Sequence, residues 1–180
     1  RHPQLVGYNI KESVLHLLQQ RAMVLGIQSA EDPSMLSKAV LQDYFAKENE
    51  YSVDLKELIT GNGSYKTDAT YDDLCILCGI PGKLDNHGAK ILDFWLAGEY
   101  EKIVRYNCYN AISNYLLWLR LSWMGGCYST RQYETEKALL HEHLMMLSDR
   151  HDAHFLQLDR YIHEWDRLQD IHERFYPGAQ

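Results

Sequence analysis

The stretch from residue 105 to residue 123, RYNCYNAISNYLLWLRLSW, places the strongest constraint on the fold. Its apolar residues lie on most sides of a helix, and such a helix is usually buried with other elements packed on several faces. They are Ile112, Tyr115, Leu116, Leu117, Leu119, Leu121 and Trp123. Tyr106 and Asn110 are four residues apart, so they share one helix face. The sequence therefore predicts a buried helix that presents a polar pair.

The first part of the chain has the pattern of an α/β unit. Residues 4–8, QLVGY, predict a short buried strand. Ser13 is predicted to cap a helix that Gly26 ends. The predicted apolar face of that helix comprises Val14, Leu15, Leu18, Ala22 and Leu25. Residues 51–53 predict a second extended piece before a helical turn at residues 55–60.

The remainder of the chain is predicted to be mainly helical. Helices are expected at residues 71–78, 87–96, 99–122, 130–147 and 151–175, and residues 29–50 are expected to be a loop or a short helix. Charged, amphipathic helices follow Gly126, which predicts a domain at 1–126 and a packed helical extension at 127–180. Pro177-Gly178 is expected to end the ordered chain.

Composition limits the functional classes. A chain of 180 residues with 46% hydrophobic residues suits one globular domain. The net charge of -7 excludes a general basic field, so any contact with nucleic acid must be local. Arg120 interrupts the longest apolar run, and no membrane span is predicted. The 4 cysteines are expected to be reduced, and an intracellular location is expected.

Several small motifs have both a structural and a chemical interpretation. The Cys75 and Cys78 pair has CxxC spacing but lacks a second ligand pair for zinc, so core positions are favoured. Solvated helix positions are favoured for the histidines, namely His141, His143, His151, His154, His163 and His172. Asp54 either caps a helical turn or binds a metal, and capping is the commoner use. Lys83 follows the Gly-Ile-Pro-Gly turn and either meets a phosphate or is an exposed turn lysine.

Four segments occur in an order that matches a known family. They are QLVGYN with a following helix containing QQRA, then NEYSVDL, LCILCGIPGK and IVRYNCYNAISNYLLWLRL. Together they resemble the predicted DNA-polymerase-B-like 3'-5' exonucleases, a branch of the DEDD-type, ribonuclease-H-like superfamily. The resemblance runs from about residue 4 to residue 123. It implies the α/β ribonuclease-H-like exonuclease fold, here mostly its helical part, with one or two strands and a C-terminal helical pair.

The resemblance also implies a mechanism and marks the positions at which this sequence departs from it. In that family, acidic side chains hold two Mg²⁺ or Mn²⁺ ions that hydrolyse a phosphodiester, and a tyrosine orients the water. The first acidic motif belongs to a strand upstream of the matched region. Val14 aligns with the second-motif Asp and Asn110 with the third-motif Asp, while Tyr106 keeps the tyrosine. These substitutions predict a severely weakened metal site.

The leading hypothesis is therefore a catalytically degenerate exonuclease-like domain with no metal or other cofactor. It would bind single-stranded nucleic acid, with Asn9 and Lys83 as contacts, or act as a scaffold in a larger assembly. A protein partner or an upstream segment is expected to complete the sheet. One alternative is an active exonuclease on single-stranded DNA or RNA that uses Mg²⁺ or Mn²⁺, in which Glu12 replaces the second-motif Asp. Another alternative is a purely structural, protein-binding subunit.

Overall fold

The computed structural model describes residues 4–27, 51–66, 68–84 and 87–175. They form two compact units, one within residues 1–67 and one within residues 68–180. Most described residues are helical, and two strands form a parallel sheet, which agrees with part of an α/β fold. The predictions for residues 29–50 and for Pro177-Gly178 lie outside the described residues. The division at residue 126, which rests on a change in composition, stays a prediction.

The sheet of the first unit confirms the two predicted strands. Strand β1 (Leu5–Gly7) pairs in parallel with β2 (Ser52–Asp54), and Val6 lies opposite Val53. The prediction that the first strand is buried was wrong for Leu5, which is 39% exposed, whereas Gly7 is buried. Parallel pairing needs a crossover connection, so these two strands belong to an α/β arrangement.

A π-type helical turn (Ile10–Val14) connects β1 to helix α1 (Leu15–Leu25). Gly26 ends α1 in the left-handed conformation, at φ 61°, as predicted. The prediction that Ser13 caps the helix was wrong. Its hydroxyl instead donates to the carbonyl oxygen of Asn9 at 2.7 Å, since helical backbone already begins at Ile10.

The Asp54 side chain connects the segment that follows β1 with the segment that follows β2. It is 2% exposed and begins helix α2 (Leu55–Thr60), where its carboxylate accepts a hydrogen bond from the main-chain N–H of Lys56 at 3.0 Å. The same carboxylate accepts from the main-chain N–H groups of Asn9 at 2.8 Å and Lys11 at 3.0 Å. The predicted capping role of Asp54 is therefore confirmed, and the side chain also fixes the turn after β1.

The predicted apolar face of α1 is largely exposed. Leu15 is buried, but the other large apolar residues of this segment are more than 40% exposed. They are Val14, Leu17, Leu18, Met23, Val24 and Leu25. Apart from Leu15, the large residues of the predicted apolar face are therefore exposed in the described part of the unit.

The second unit contains helices α3 (Tyr71–Leu77), α4 (Ile91–Leu96), α5 (Tyr100–Met124), α6 (Thr130–Ser148) and α7 (Leu158–Phe175), with 3-10 turns at His87–Lys90 and His151–Leu156. Helix α5 is the predicted buried helix. Its buried residues are Tyr109, Ile112, Ser113, Leu116, Leu117 and Leu119. In the described ranges, no helix is long and apolar enough to cross a membrane.

The Gly-Ile-Pro-Gly turn after α3 is held by two other helices. From α5, the buried Ser113 hydroxyl lies 3.0 Å from the carbonyl oxygen of Gly82 and 2.7 Å from the Tyr161 hydroxyl of α7. Also from α7, Gln169 donates through Nε2 to the carbonyl oxygen of Gly79 at 2.7 Å. The turn is therefore part of the core that surrounds α5.

The C-terminal helices confirm the predicted helical pair, but the second helix is shorter than predicted. Residues 151–175 were predicted to form one helix, and this was wrong because Gln157 adopts φ 50° and separates the 3-10 turn from α7. The Tyr109 hydroxyl of α5 donates a hydrogen bond to the carbonyl oxygen of Gln157 at 2.8 Å, so this main-chain oxygen has a partner at the break. The sequence also predicts an inner stripe of Phe155, Leu158, Ile162, Trp165 and Leu168. The last four of these are buried, whereas Phe155 is half-buried in the 3-10 turn.

The contact between α5 and α7 predicts a dependence of stability on pH. Arg120 Nη2 lies 3.0 Å from His172 Nε2. Burial, followed by the positive charges of Arg120 and Lys137, lowers the pKa of His172, and the Glu173 charge opposes this only in part. Since the unfolded chain binds the proton at higher pH, we expect the free energy of unfolding to fall as the pH drops below about 6.5.

Urea unfolding between about pH 8 and about pH 5 measures this effect. The variant His172→Gln should reduce the fall in stability. His163→Gln is the matched control, because His163 is exposed on the same helix. An equal reduction in both variants would contradict the assignment to His172.

Candidate nucleic-acid site

Tyr106 and Asn110 lie together on α5, as predicted. Both side chains are half-buried, and neither forms a hydrogen bond within the described part of the chain. The Tyr106 hydroxyl lies close to Gly88. A Cβ atom placed on this glycine would be 3.2 Å from the phenolic oxygen. The pair is therefore partly exposed, and no hydrogen bond within the described residues occupies its polar atoms.

Asn114 extends the same face by one more turn, and the sequence analysis missed it. Its Oδ1 is buried and has no hydrogen-bond partner among the described residues. Exchanging the amide O and N would leave a different buried polar atom at the same place. An unpaired buried acceptor costs about 1–3 kcal/mol, so its presence calls for an explanation. The signal in the sequence was the repeated spacing of four, from Tyr106 to Asn110 to Asn114.

The nearest cations on α5 have partners inside the protein. Lys102 forms an ion pair with Glu99 at 2.6 Å and also lies 5.1 Å from the centre of the Phe94 ring. Arg105 donates from Nη1 to the carbonyl oxygen of Phe155 at 3.4 Å. The face with Tyr106 and the two asparagines is therefore a neutral hydrogen-bonding surface and not a basic one.

The two predicted positions in the first unit lie at opposite ends of the π-type turn. Val14 is 44% exposed and has no side-chain atom that can bind a metal. Asn9 precedes the turn, and its Oδ1 accepts a hydrogen bond from Lys56 Nζ at 2.9 Å. The same ammonium group forms an ion pair with Glu12 at 3.0 Å. Asn9 therefore already has a structural role, and its predicted contact with nucleic acid stays a prediction.

Lys83 is half-buried and interacts with α3. Its ammonium group lies 5.0 Å from the centre of the Tyr71 ring, and its main-chain N–H donates to Asp72 Oδ1 at 3.1 Å. A cation over an aromatic face is attracted by the ring quadrupole. The predicted phosphate contact of Lys83 stays a prediction, and it would compete with this interaction.

The CxxC thiols and the His141 imidazole occupy structural environments. Cys75 is buried, and burial raises the pKa of its thiol to about 12. Burial also raises the pKa of Cys78, although Arg120 opposes the shift. His141 pairs with Asp166 at 3.0 Å on the surface between α6 and α7. The raised pKa values do not favour thiolate chemistry at the CxxC pair.

The described residues do not fit a pair of divalent ions. Hard divalent ions prefer several charged oxygen ligands. No group of three or more His, Cys, Asp or Glu side chains suited to a metal occurs within the described ranges. At the two positions that the resemblance aligns with acidic motifs, Val14 has no ligand atom and Asn110 offers only a neutral carbonyl oxygen.

Comparison with known proteins gives one result. The family model described as predicted 3'-5' exonucleases related to the exonuclease domain of PolB matches residues 1–165. No curated protein and no solved structure matched the chain significantly. The match covers the first unit and extends through the second unit as far as Trp165, near the middle of α7.

Proposed function

Because the chain belongs to the family of predicted 3'-5' exonucleases related to the exonuclease domain of PolB, we propose that it is a non-cleaving member that binds single-stranded nucleic acid. Its fold would be the helical part of a ribonuclease-H-like exonuclease domain. The observation that carries the proposal is Asn110, a half-buried amide at the position that aligns with a catalytic carboxylate. Mg²⁺ and Mn²⁺ would not be required for binding.

The loss of cleavage follows from the chemistry of the substituted positions. A divalent ion in a two-metal site is held largely by negative carboxylates, and these also set the charge balance at the phosphate. Asn110 provides no charge, and Val14 provides neither charge nor a ligand atom. Tyr106 retains the group that would orient a water, but without carboxylates no metal would activate that water.

Retention of binding follows from the groups that remain. An asparagine amide both donates and accepts hydrogen bonds, and a tyrosine ring can stack on a base. Tyr106 and Asn110 present these groups on one helix face and form no hydrogen bond within the described residues. A neutral surface can bind a nucleic acid through its bases even where the net charge of the protein is -7.

A role in a larger assembly is the second proposal, and the first unit supports it. Helix α1 exposes most of its apolar side chains beside a sheet of three-residue strands. Short two-stranded sheets are only marginally stable without further layers. A protein partner or further strands that extend the sheet would bury this surface.

An exonuclease assay tests the proposed function. A 5'-labelled single strand is incubated with the longest natural form of the chain and with Mg²⁺ or Mn²⁺. We expect no shortening from the 3' end, and retention of the strand at low salt, where phosphate contacts are strongest. A ladder that is lost in Tyr106→Phe would contradict the proposal and indicate a working enzyme. Absence of both cleavage and binding would favour the scaffold role.

A further inference from the structure

The last two turns of α7 pack directly on the backbone of the Gly-Ile-Pro-Gly turn. Gln169 Nε2 donates a hydrogen bond to the carbonyl oxygen of Gly79 at 2.7 Å. A Cβ atom placed on Gly79 would be 2.6 Å from Gln169 Nε2 and 3.5 Å from the Cβ atom of His172. A side chain at position 79 would therefore push against the end of α7, and the glycine allows the helix and the turn to meet closely.

Helix α5 holds the same end of α7 through the contact between Arg120 and His172. Arg120 Nη2 lies 3.0 Å from His172 Nε2. A guanidinium group has donors only, so the imidazole nitrogen must be the acceptor and must carry no proton. A protonated imidazole has a donor on each nitrogen. Protonation of His172 is therefore incompatible with this hydrogen bond.

The charged groups around His172 also act against its protonation. Burial, followed by the positive charges of Arg120 and Lys137, lowers the pKa of His172, whereas the Glu173 charge raises it. Lys137 of α6 forms an ion pair with Glu134 at 3.1 Å, which reduces its effect on the ring. Arg120 forms no ion pair with a carboxylate within the described ranges, so it is the main cation facing the imidazole.

Two further titratable groups face Arg120, and neither offers a negative charge near neutral pH. Burial raises the pKa of Cys78 at the end of α3, and it also raises the pKa of Tyr133 on α6. Arg120 opposes both shifts. The centre of the Tyr133 ring lies 5.8 Å from the guanidinium carbon of Arg120. Neither group would therefore stabilise a positive charge on His172.

We infer that the Arg120–His172 pair is a proton-sensitive latch that holds the last two turns of α7 against the Gly-Ile-Pro-Gly turn. With a neutral ring, the latch is closed. A proton on the ring removes the acceptor and places two cations side by side, so the end of α7 is released while the rest of the second unit stays folded. Since the released ring binds a proton at higher pH than the packed ring, release is favoured as the pH falls below about 6.5. The latch does not depend on the proposed function.

Amide hydrogen exchange in the full chain tests the latch, with protection expressed relative to an unstructured amide at the same pH. The reporter is the Ile80 amide, which donates to the carbonyl oxygen of Cys75 at 2.8 Å within the turn. Its protection should fall about tenfold between about pH 7.5 and about pH 5, because protons bind more strongly to the released ring. At the lower pH, a low concentration of urea should leave this exchange unchanged, as for a local opening.

Two histidine variants of α7 assign the effect to the latch. His172→Gln keeps an acceptor for Arg120 but takes up no proton, so Ile80 should keep most of its protection at both pH values. His163→Gln is the matched control, because His163 is exposed on the same helix. This control should show the full fall in protection.

An equal fall in Ile80 protection in His172→Gln and in the unmodified chain would overturn the latch. Exchange of Ile80 at the same rate as the buried amides of α5, with the same dependence on urea, would also overturn it. That second result would indicate that the whole unit unfolds and that no local release occurs, and it would leave the expected dependence of overall stability on pH intact.

Discussion

Replacing Asp54 with alanine should lower the free energy of unfolding of the first unit by about 3–4 kcal/mol. The carboxylate accepts hydrogen bonds from the main-chain N–H groups of Asn9, Lys11 and Lys56, at 2.8–3.0 Å. Alanine would leave these three donors without their acceptor. Because Asp54 is 2% exposed, water could replace the carboxylate only if the structure opened.

Hydrogen exchange at individual amides is the appropriate measurement, because it reports on the first unit separately from the second. In Asp54→Ala, the amides of Asn9, Lys11 and Lys56 should exchange faster, and so should those of β1. The matched control is Glu12→Gln, which removes an exposed carboxylate that pairs with Lys56 at 3.0 Å. That change should cost less than about 1 kcal/mol, as for other surface ion pairs. Equal protection in both variants would contradict the central role of Asp54.

The sequence predicted the elements whose local signals agree with their packing. Helix α5 has an apolar pattern on most sides, and its burial is confirmed. Asp54 before a helical turn is a strong capping signal, and Gly26 after an amphipathic run is a strong stop signal. In each case a short segment contains both the residue and the reason for its position. The parallel pairing of β1 with β2 agrees with the predicted α/β character.

The errors arose where distant residues decide the local structure. Ser13 has the chemistry of a cap, but the carboxylate of Asp54, 41 positions later, fixes the preceding turn and starts the helical backbone earlier. The break at Gln157 depends on the Tyr109 hydroxyl from another helix. Neither contact leaves a signal within its own segment.

The candidate site was predicted only in part for a similar reason. Tyr106 and Asn110 were singled out by their spacing on one helix face, and the family resemblance then suggested a functional role for them. Asn114 belongs to no such motif, and its significance depends on burial without a partner, which a sequence does not show. Lys83 illustrates the reverse case. A turn lysine is usually exposed, but Lys83 packs over the Tyr71 ring.

Carboxylates at positions 14 and 110, which the resemblance aligns with acidic motif positions, should raise the affinity of the chain for divalent metals. We expect Val14→Asp with Asn110→Asp to bind Mn²⁺ roughly tenfold more tightly or better, because charged oxygen ligands determine affinity for such ions. Neither change should disrupt packing, since Val14 is 44% exposed and Asn110 is half-buried at the surface of α5. Isothermal titration with Mn²⁺ measures the difference.

The control for the gain in Mn²⁺ affinity is the double variant Leu17→Asp with Asn107→Asp. Leu17 is 59% exposed and lies one turn beyond Val14, and Asn107 is exposed on α5, so the control adds the same two charges to the same segments. If the control variant gained as much Mn²⁺ affinity, nonspecific charge attraction would explain the result. If the unmodified chain already bound Mn²⁺ tightly, the proposal that the metal site is lost would be wrong. The proposed non-cleaving function would then be wrong as well. A gain confined to positions 14 and 110 would support their alignment with the acidic motif positions of the family.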